Sequence, residues 1–583
     1  MFVLYAEDRG LLPVDQTLYS SHLSVLGLFE ELQADHGAYP DSMSRRFGAW
    51  PRLVALFRTI YLGAEHGAFR MPPRRGSLFN PHTYPFLEGW GPAGSALIVD
   101  AESRGNVRVP TVDDETVFRV LEKLVMFEGQ RLSYRALDVE QIGSVYEALM
   151  GYHVVAVAHE AICTRPNRLW MTVEEIAEVP AARRAKWIKE TIGLSAKQSE
   201  TLAADPTIEA LTRFSNKTDP SLSRARPGQL VLQPGAERRR TSSHYTPRSL
   251  SAPIVRRTLE PLLAVMGDTP ASERILNLKV CDPAMGSGAF LVEACRFLAD
   301  HVVAAWTREG TIQAVSKEHG DPLLHARRVV AQRCLFGVDK NDAAVELAKL
   351  SLWLVTLAKD LPFTFLDHAL RHGDSLVGLD FDQIRAGHWK PGKQMELFSK
   401  ELDAALDEAI ALRQQISELA LGEDNAVEQK EKERLLWDAQ DALDRVRLVG
   451  DVIVGAFFAK EKDKEREKER VRRIDLVRAW LEAGGPPTDE LREMQEEIRR
   501  QIPVFHWMLE FPEVFYAERP DPLEDGQVNR AAYMDAFVGN PPFADKNTVS
   551  STFGEVYIRW LQVVHEGAHG NADLSAHFFR RSG

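Results

Sequence analysis

The tetrapeptide Asn540-Pro541-Pro542-Phe543 carries groups suited to chemistry on the exocyclic amine of a heteroaromatic ring. Such an amine is a weak nucleophile, because its lone pair is delocalised into the ring. The amide oxygen of Asn540 and the carbonyl oxygen of Pro541 can accept its hydrogen bonds, while Phe543 can stack on the ring. The prolines stiffen the loop. Asn-Pro-Pro is equally a turn signal, so the tetrapeptide alone leaves a purely structural interpretation open.

A second segment combines the end of a strand, a tight glycine loop and the start of a helix. Its sequence is Val280-Cys281-Asp282-Pro283-Ala284-Met285-Gly286-Ser287-Gly288-Ala289-Phe290-Leu291. Gly286 and Gly288 permit positive φ and close approach of a ligand, and the helix start offers free amides. The third glycine of the dinucleotide fingerprint is missing. Asp282 suits a ligand with a cationic amine, such as the methionine part of S-adenosylmethionine.

Two further acidic residues follow predicted strands. Asp339 ends the strand Phe336-Gly337-Val338, where a carboxylate can accept both hydroxyls of a ribose. The alternative for Asp339 is the N-cap of a helix over 343–354. Asp374 and Ser375 follow a strand-like run, and Asp374 could accept a hydrogen bond from an adenine amine. Gly-Asp-Ser is also an ordinary turn sequence.

Upstream of the glycine loop, Tyr245-Thr246-Pro247 resembles a turn that opens a helix. The apolar residues that follow have helical spacing, and the helix is expected to pack beside the glycine loop. Tyr245 would then lie against the same ligand. His244, which precedes it, is interpreted as structural.

The composition is that of a water-soluble globular protein. The 583 residues are 44% hydrophobic and 27% charged, with a net charge of −13. An acidic chain can still bind nucleic acid through a local basic cleft. The four cysteines show no metal-ligand spacing and indicate reduced thiols in the cytoplasm. No apolar run approaches the roughly 20 residues that span a bilayer, so no membrane partner is expected.

The sequence divides into five segments by composition and periodicity. They are a mainly helical N-terminal domain (1–215), a linker (216–244), the first part of an α/β core (245–380), a helical insertion (381–500) and the second part of the core (501–583). A helix is predicted from Asp138 to about Gly151. The insertion is predicted to be a long helical hairpin, with the charged run 460–470 as a solvated helix or mobile tip.

Alternation of apolar runs with helical patterns predicts a parallel sheet with crossover helices. The strand candidates are Ile275–Cys281, Cys334–Val338, Phe363–Leu366, the segment Phe505–Phe515 and Ala536–Val538. Residues 306–330 are expected to be an extra excursion between the first two strands. The predicted fold is therefore α/β; the resemblance of the motifs to a known family implies, more narrowly, a Rossmann-like sheet of S-adenosylmethionine-dependent methyltransferase type.

The ordered set of motifs resembles the γ-class N6-adenine DNA methyltransferases. More narrowly, the chain is similar to the large enzymes of type IIG restriction–modification and of BREX and DISARM phage defence, and the segments 6–13 and 505–515 share in the similarity. The resemblance implies that the catalytic loop 540–543 holds a flipped adenine of double-stranded DNA. It implies S-adenosylmethionine binding by Tyr245, Thr246, Pro247, Asp282, Pro283, Ala284, Gly286, Ser287, Gly288, Phe290, Asp339, Asp374 and Ser375.

The same resemblance sets three expectations about what accompanies this chemistry. No metal is required, and residues 1–215 show no convincing Glu-x-Lys of a nuclease, which favours methylation without cleavage. In the family further strands and a recognition domain follow the helix near Asp573, so the sheet is expected to be C-terminally incomplete. Other phage-defence subunits or a separately encoded C-terminal part would then be partners.

Two alternatives to DNA methylation remain open at this point. One is methylation of a glutamine side chain in a protein, which uses a similar loop but typically has Tyr at the position of Phe543. The other is a catalytically inactive scaffold or interaction subunit that acts through the helical insertion. For the enzyme, Asn540→Ala is expected to remove methylation while leaving cofactor binding intact.

Overall fold

The computed structural model describes most of the chain. The described residues are 1–75, 77–89, 110–137, 141, 143, 145, 152–165, 168–214, 224–234, 246–356, 366–390, 399–419, 426–516, 518–524, 527, 533–565, 567–569 and 571–582. Of the helix predicted from Asp138, only residues 141, 143 and 145 are among them, and these are helical. Within the described ranges, no helix has the length and apolar character needed to cross a membrane.

The N-terminal part consists of helices and short hairpins. Its helices are Phe2–Asp8, Thr17–His22, Val25–Ala38, Pro40–Met43, Ala49–Leu62 and Asp114–Val125, and its strands are β1 (Ala64–His66), β2 (Phe69–Met71), β3 (Met126–Phe127) and β4 (Gln130–Arg131). Buried Glu7 accepts hydrogen bonds from Tyr19 Oη at 2.9 Å and Val25 N at 2.8 Å, which ties the first three helices together. The helices share one hydrophobic core with the α/β part. Phe2, for example, contacts the ring of Trp353.

A smaller unit with a core of its own follows, which differs from the single domain predicted over 1–215. It contains β5 (Tyr152–Ala156), β6 (Ala161–Thr164), β7 (Leu169–Thr172), β8 (Arg224–Ala225), β9 (Leu230–Pro234) and the helices Val173–Glu178, Ala181–Ile192, Ala196–Ala204 and Ile208–Thr212. Strands β8 and β9 pair with β6 and β5, so residues 224–234 of the predicted linker belong to these sheets. The rest of that linker lies outside the described residues.

The α/β core contains the predicted parallel sheet. Its strands are β10 (Val280–Asp282), β11 (Leu335–Asp339), β12 (Leu370–His372) and β13 (Ala536–Phe537), in the order β12-β11-β10-β13. The helices around it are Arg248–Val265, Ser272–Leu276, Ala289–Glu309, Ile312–His319, Pro322–Arg333 and Asp342–Thr356. Two of these, Ile312–His319 and Pro322–Arg333, are the expected excursion. The strands predicted at β11 and β13 are confirmed. The candidate Ile275–Cys281 is shorter, because residues 272–276 are helical.

The strand predicted over residues 505–515 is wrong. The segment forms the helix Trp507–Glu510 followed by turns. Phe505 and Phe511 are fully buried against the sheet, and Phe511 meets Phe336 edge-on at 5.0 Å. A short apolar run looks the same in sequence whether it is a buried strand or a buried turn. The candidate strand Phe363–Leu366 lies almost entirely outside the described residues; β12 begins at Leu370.

The insertion is more extensive than the predicted hairpin. Its helices are Phe381–Arg385, Ser399–Leu419, Ala426–Phe458, Asp463–Ala483 and Asp489–Gln501. The second and third pair as a hairpin, and the fourth and fifth pack against the third. The charged run 460–470 is not a free tip, because Arg466 and Arg470 are buried. Arg466 donates to the backbone carbonyls of Phe457 and Lys460. Arg470 donates to the carbonyl of Gly387. The chain ends with the helices Lys546–Phe553, Glu555–Val564 and Leu574–Ser582.

Candidate active site at the carboxyl edge of the sheet

The predicted motifs meet at one edge of the parallel sheet. Strand β10 ends at Asp282, β11 ends at Asp339, β12 leads to Asp374 and β13 leads to Asn540. Parallel strands present their carboxyl ends at the same edge, which is where ligands bind in open α/β sheets. Segments that lie far apart in the sequence thus meet at this edge.

The glycine loop has the conformation expected from its sequence. Gly286 and Gly288 have φ of 52° and 81°, which favour glycine. A Cβ on Gly288 would lie 3.1 Å from the Cβ of Ala348, so the loop also packs tightly against the next helix. The N–H of Gly286 donates to Asp339 Oδ2 at 2.9 Å. The loop is therefore fixed to the end of β11.

Asp282 is the electrostatically unusual residue of the site. Its side chain is 1% exposed, its Oδ1 accepts from Ala284 N at 3.1 Å, and its Oδ2 has no hydrogen-bond partner within the described part of the chain. Burial, reinforced by the charge of Asp339, raises the pKa of Asp282 to about 8. A buried carboxylate without a partner is costly, so the geometry favours a cationic ligand group here.

Gly539 is a site residue that sequence reasoning missed. A Cβ at this position would lie 2.5 Å from Asp282 Oδ1. Only glycine lets the loop that leads to Asn540 pass so close to the carboxyl group. The sequence shows a glycine directly before the tetrapeptide, but Asp282, the residue whose closeness requires a glycine there, is distant in sequence.

Both carboxyl oxygens of Asp339 accept hydrogen bonds from nearby backbone N–H groups. Its Oδ1 accepts from Asn341 N at 2.8 Å, and its Oδ2 accepts from Gly286 N. Asn341 in turn accepts from Ala343 N at 3.0 Å at the start of the helix Asp342–Thr356. Asn341 therefore performs the N-cap role that was the alternative for Asp339. A ribose contact by Asp339 stays a prediction.

Asp374 is engaged by side chains that the sequence did not indicate. Its carboxylate is buried, accepts from Tyr557 Oη at 3.0 and 3.1 Å and from Leu376 N at 3.1 Å, and pairs with Lys340 Nζ at 3.0 Å. The Lys340 ammonium also lies 4.0 Å from the ring centre of Phe553. The predicted acceptor for an adenine amine thus already holds a cation.

The loop 540–543, predicted to be catalytic, is more open than the predicted cofactor loops. Asn540 is exposed, and its Nδ2 donates to Thr246 Oγ1 at 3.2 Å. Phe543 is 66% exposed, so its ring is available for stacking. Pro541 and Pro542 are half-buried.

The remaining predicted cofactor residues differ in their surroundings. Pro247 precedes the helix Arg248–Val265, whereas Tyr245 lies outside the described residues. Ser375 Oγ donates to the carbonyl of buried Pro283, which joins the loops after β12 and β10. Ser287 is buried and Ala284 half-buried. Phe290 is 3% exposed within the core, so its side chain packs the first turn of its helix.

Among the described residues, no group of three or more His, Cys, Asp or Glu side chains is arranged to hold a metal ion.

Comparison with known families agrees with this geometry. A family model described as Eco57I restriction-modification methylase matches residues 333–582, and a model of the MmeI DNA-methyltransferase domain matches residues 269–375. Together the matched segments contain all four strands of the sheet and the catalytic loop. Residues 269–582 therefore form a DNA-methyltransferase region of the Eco57I/MmeI restriction–modification type.

Two curated relatives resemble this chain. The type II restriction enzyme and methyltransferase RM.Eco57I of Escherichia coli is 27% identical over 161 residues, which are 26% of the chain and 16% of the relative. RM.MjaORFECS2P of Methanocaldococcus jannaschii, named as a candidate type II restriction enzyme and methyltransferase, is 23% identical over 384 residues, or 54% of the chain and 29% of the relative. The matches span less than a third of either relative.

Proposed function

We propose that the chain transfers a methyl group from S-adenosylmethionine to N6 of an adenine turned out of double-stranded DNA. The reaction belongs to restriction–modification or phage defence in the cytoplasm. The observation that carries the proposal is the contact between Asp282 and Gly539. It joins a buried carboxyl group, which has no cationic partner among the residues that the structure describes, to the loop that presents Asn540.

The residues of the edge fit S-adenosylmethionine. The carboxyl group of Asp282 would receive the ammonium group of the methionine part, and ionisation of that carboxyl would follow from the pairing. The glycine loop, with positive φ at Gly286 and Gly288, allows close approach of the backbone. Asp339 stands at the end of the next strand, where it could bind ribose hydroxyls. When bound, the cofactor would supply an electrophilic methyl group.

The residues of the catalytic loop fit a flipped adenine. Turning a base out of the duplex costs a few kcal/mol. Stacking on the exposed ring of Phe543 would recover roughly 1–3 kcal/mol of that cost. Asn540 Oδ1 and the carbonyl of Pro541 would accept hydrogen bonds from N6 and direct its lone pair toward the methyl group. Catalysis is then mainly a matter of positioning.

The test is to identify the methylated nucleoside. The protein is incubated with S-adenosylmethionine and unmethylated duplex DNA of random sequence, and the digested DNA is examined by mass spectrometry. N6-methyladenine is expected. A methyl group found on a glutamine side chain of an added protein, with none in the DNA, would contradict the proposal.

A further inference from the structure

The catalytic loop touches a residue almost three hundred positions away in the sequence. Asn540 Nδ2 donates to Thr246 Oγ1 at 3.2 Å. Thr246 lies directly before the helix Arg248–Val265, and this helix packs against β13, which carries the loop. The contact therefore joins two elements whose relative position is set by the core of the protein.

The contact restrains the Asn540 carboxamide at the carboxyl edge of the sheet, because the Thr246 hydroxyl can pair with either end of the amide. A carboxamide has an accepting oxygen and a donating nitrogen, and rotation by half a turn exchanges them. With the nitrogen bound to Thr246, Oδ1 is left without a partner among the residues that the structure describes. The opposite orientation would turn an N–H group toward an amine that itself donates, and the two donors would repel.

We infer that Thr246 is a positioning residue that holds the Asn540 side chain in place, where its amide oxygen can accept from the target amine. This inference rests on the proposed function. It gives Thr246 a role in the methyl-transfer step that is separate from cofactor affinity. Pro247, which follows, restricts the backbone of Thr246 and so limits where its hydroxyl can lie.

The test compares three threonine variants. Thr246→Val keeps the shape of the side chain but removes the hydroxyl, whereas Thr246→Ser keeps the hydroxyl. Thr258→Val is the matched control, because the Thr258 hydroxyl donates to the carbonyl of Ile254 within the same helix. For each, the single-turnover rate of methyl transfer is measured at saturating cofactor and DNA, and cofactor affinity is measured by calorimetry.

Thr246→Val is expected to slow methyl transfer about three- to tenfold, the effect of one lost hydrogen bond, while cofactor affinity changes less than about twofold. Thr246→Ser and Thr258→Val should retain the normal rate. An unchanged rate in Thr246→Val, an equal loss of cofactor affinity, or failure of Thr246→Ser to restore the rate would overturn the inference. Absence of methylation in the unaltered protein would instead contradict the proposed function.

Discussion

Two buried carboxyl groups of this molecule have opposite surroundings. Glu510, where the insertion joins the core, pairs with Arg447 at 3.0 Å and Arg371 at 2.5 Å. Burial alone would raise the pKa of Glu510, but the two guanidinium groups outweigh it and hold the pKa well below its ordinary value. Asp282, at the carboxyl edge, has no such partner among the described residues, and burial raises its pKa to about 8.

The insertion and the carboxyl edge of the sheet also differ in how other polar groups are paired. The insertion is attached by satisfied buried pairs, such as Arg413 with Glu513 at 2.6 Å and Lys432 with Gln332 at 2.9 Å. At the edge, Asp282 Oδ2 and Asn540 Oδ1 have no partner within the described ranges. The paired buried charges of the insertion indicate a structural junction, whereas the unpaired buried carboxyl oxygen of Asp282 at the end of β10 indicates a binding site.

The largest expected effect is on the junction. Arg413→Met leaves Glu513 buried without its cation, and breaking such a pair costs about 3–5 kcal/mol. Urea denaturation should show this loss in the free energy of unfolding. The double variant Arg413→Met/Glu513→Leu, which removes both charges, should recover much of it. A loss below 1 kcal/mol for Arg413→Met would mean that the pair does not attach the insertion.

At the edge the opposite pattern is expected. Asp282→Asn removes the costly charge, so the free energy of unfolding at pH 9 should stay the same or rise. Affinity for S-adenosylmethionine should fall about a hundredfold, because the carboxylate is the proposed partner of the ammonium group. Denaturation and calorimetry measure the two quantities. A variant that loses stability but binds the cofactor normally would reverse the assignment of Asp282.

The pH dependence of cofactor binding follows from the same carboxyl group. With a pKa near 8, Asp282 is mostly protonated at pH 6, and its ionised fraction rises about tenfold between pH 6 and pH 7. Calorimetry in this window should show affinity increasing by about that factor. The free energy of unfolding changes in the opposite direction. Because the folded state holds the Asp282 proton more tightly than the unfolded state, the stability that this proton contributes is lost as pH rises from about 4 to 8. Asp282→Asn should abolish the slope in affinity.

The smallest expected effect concerns Lys340, which contacts Asp374 at the edge. Because this ammonium is partly exposed, its pairing is worth little. Lys340→Met should free Asp374 for the cofactor's adenine amine and tighten cofactor binding about two- to fivefold. Weaker binding in this variant would show that Lys340 helps to hold the cofactor.

Local sequence patterns predicted the parts of the site that are formed locally. The glycine loop, the strand β11 that ends at Asp339 and the strand before Asn540 each depend on neighbouring residues. The contacts Thr246–Asn540, Gly539–Asp282 and Tyr557–Asp374 join segments far apart in sequence. The spacing of apolar residues within one segment carries no information about such contacts. The error at 505–515 has a related cause, since the apolar run is buried by its neighbours in space.

The central claim is that Asp282 binds the cofactor while Asn540 acts only on the base. Asn540→Ala tests it most directly, with cofactor affinity measured by calorimetry and N6-methyladenine formation measured in a single turnover. The expected result is unchanged affinity with a rate lowered about a hundred- to a thousandfold, the usual effect of removing one preorganised polar group. Continued methylation at the normal rate, or loss of cofactor binding together with activity, would contradict the account.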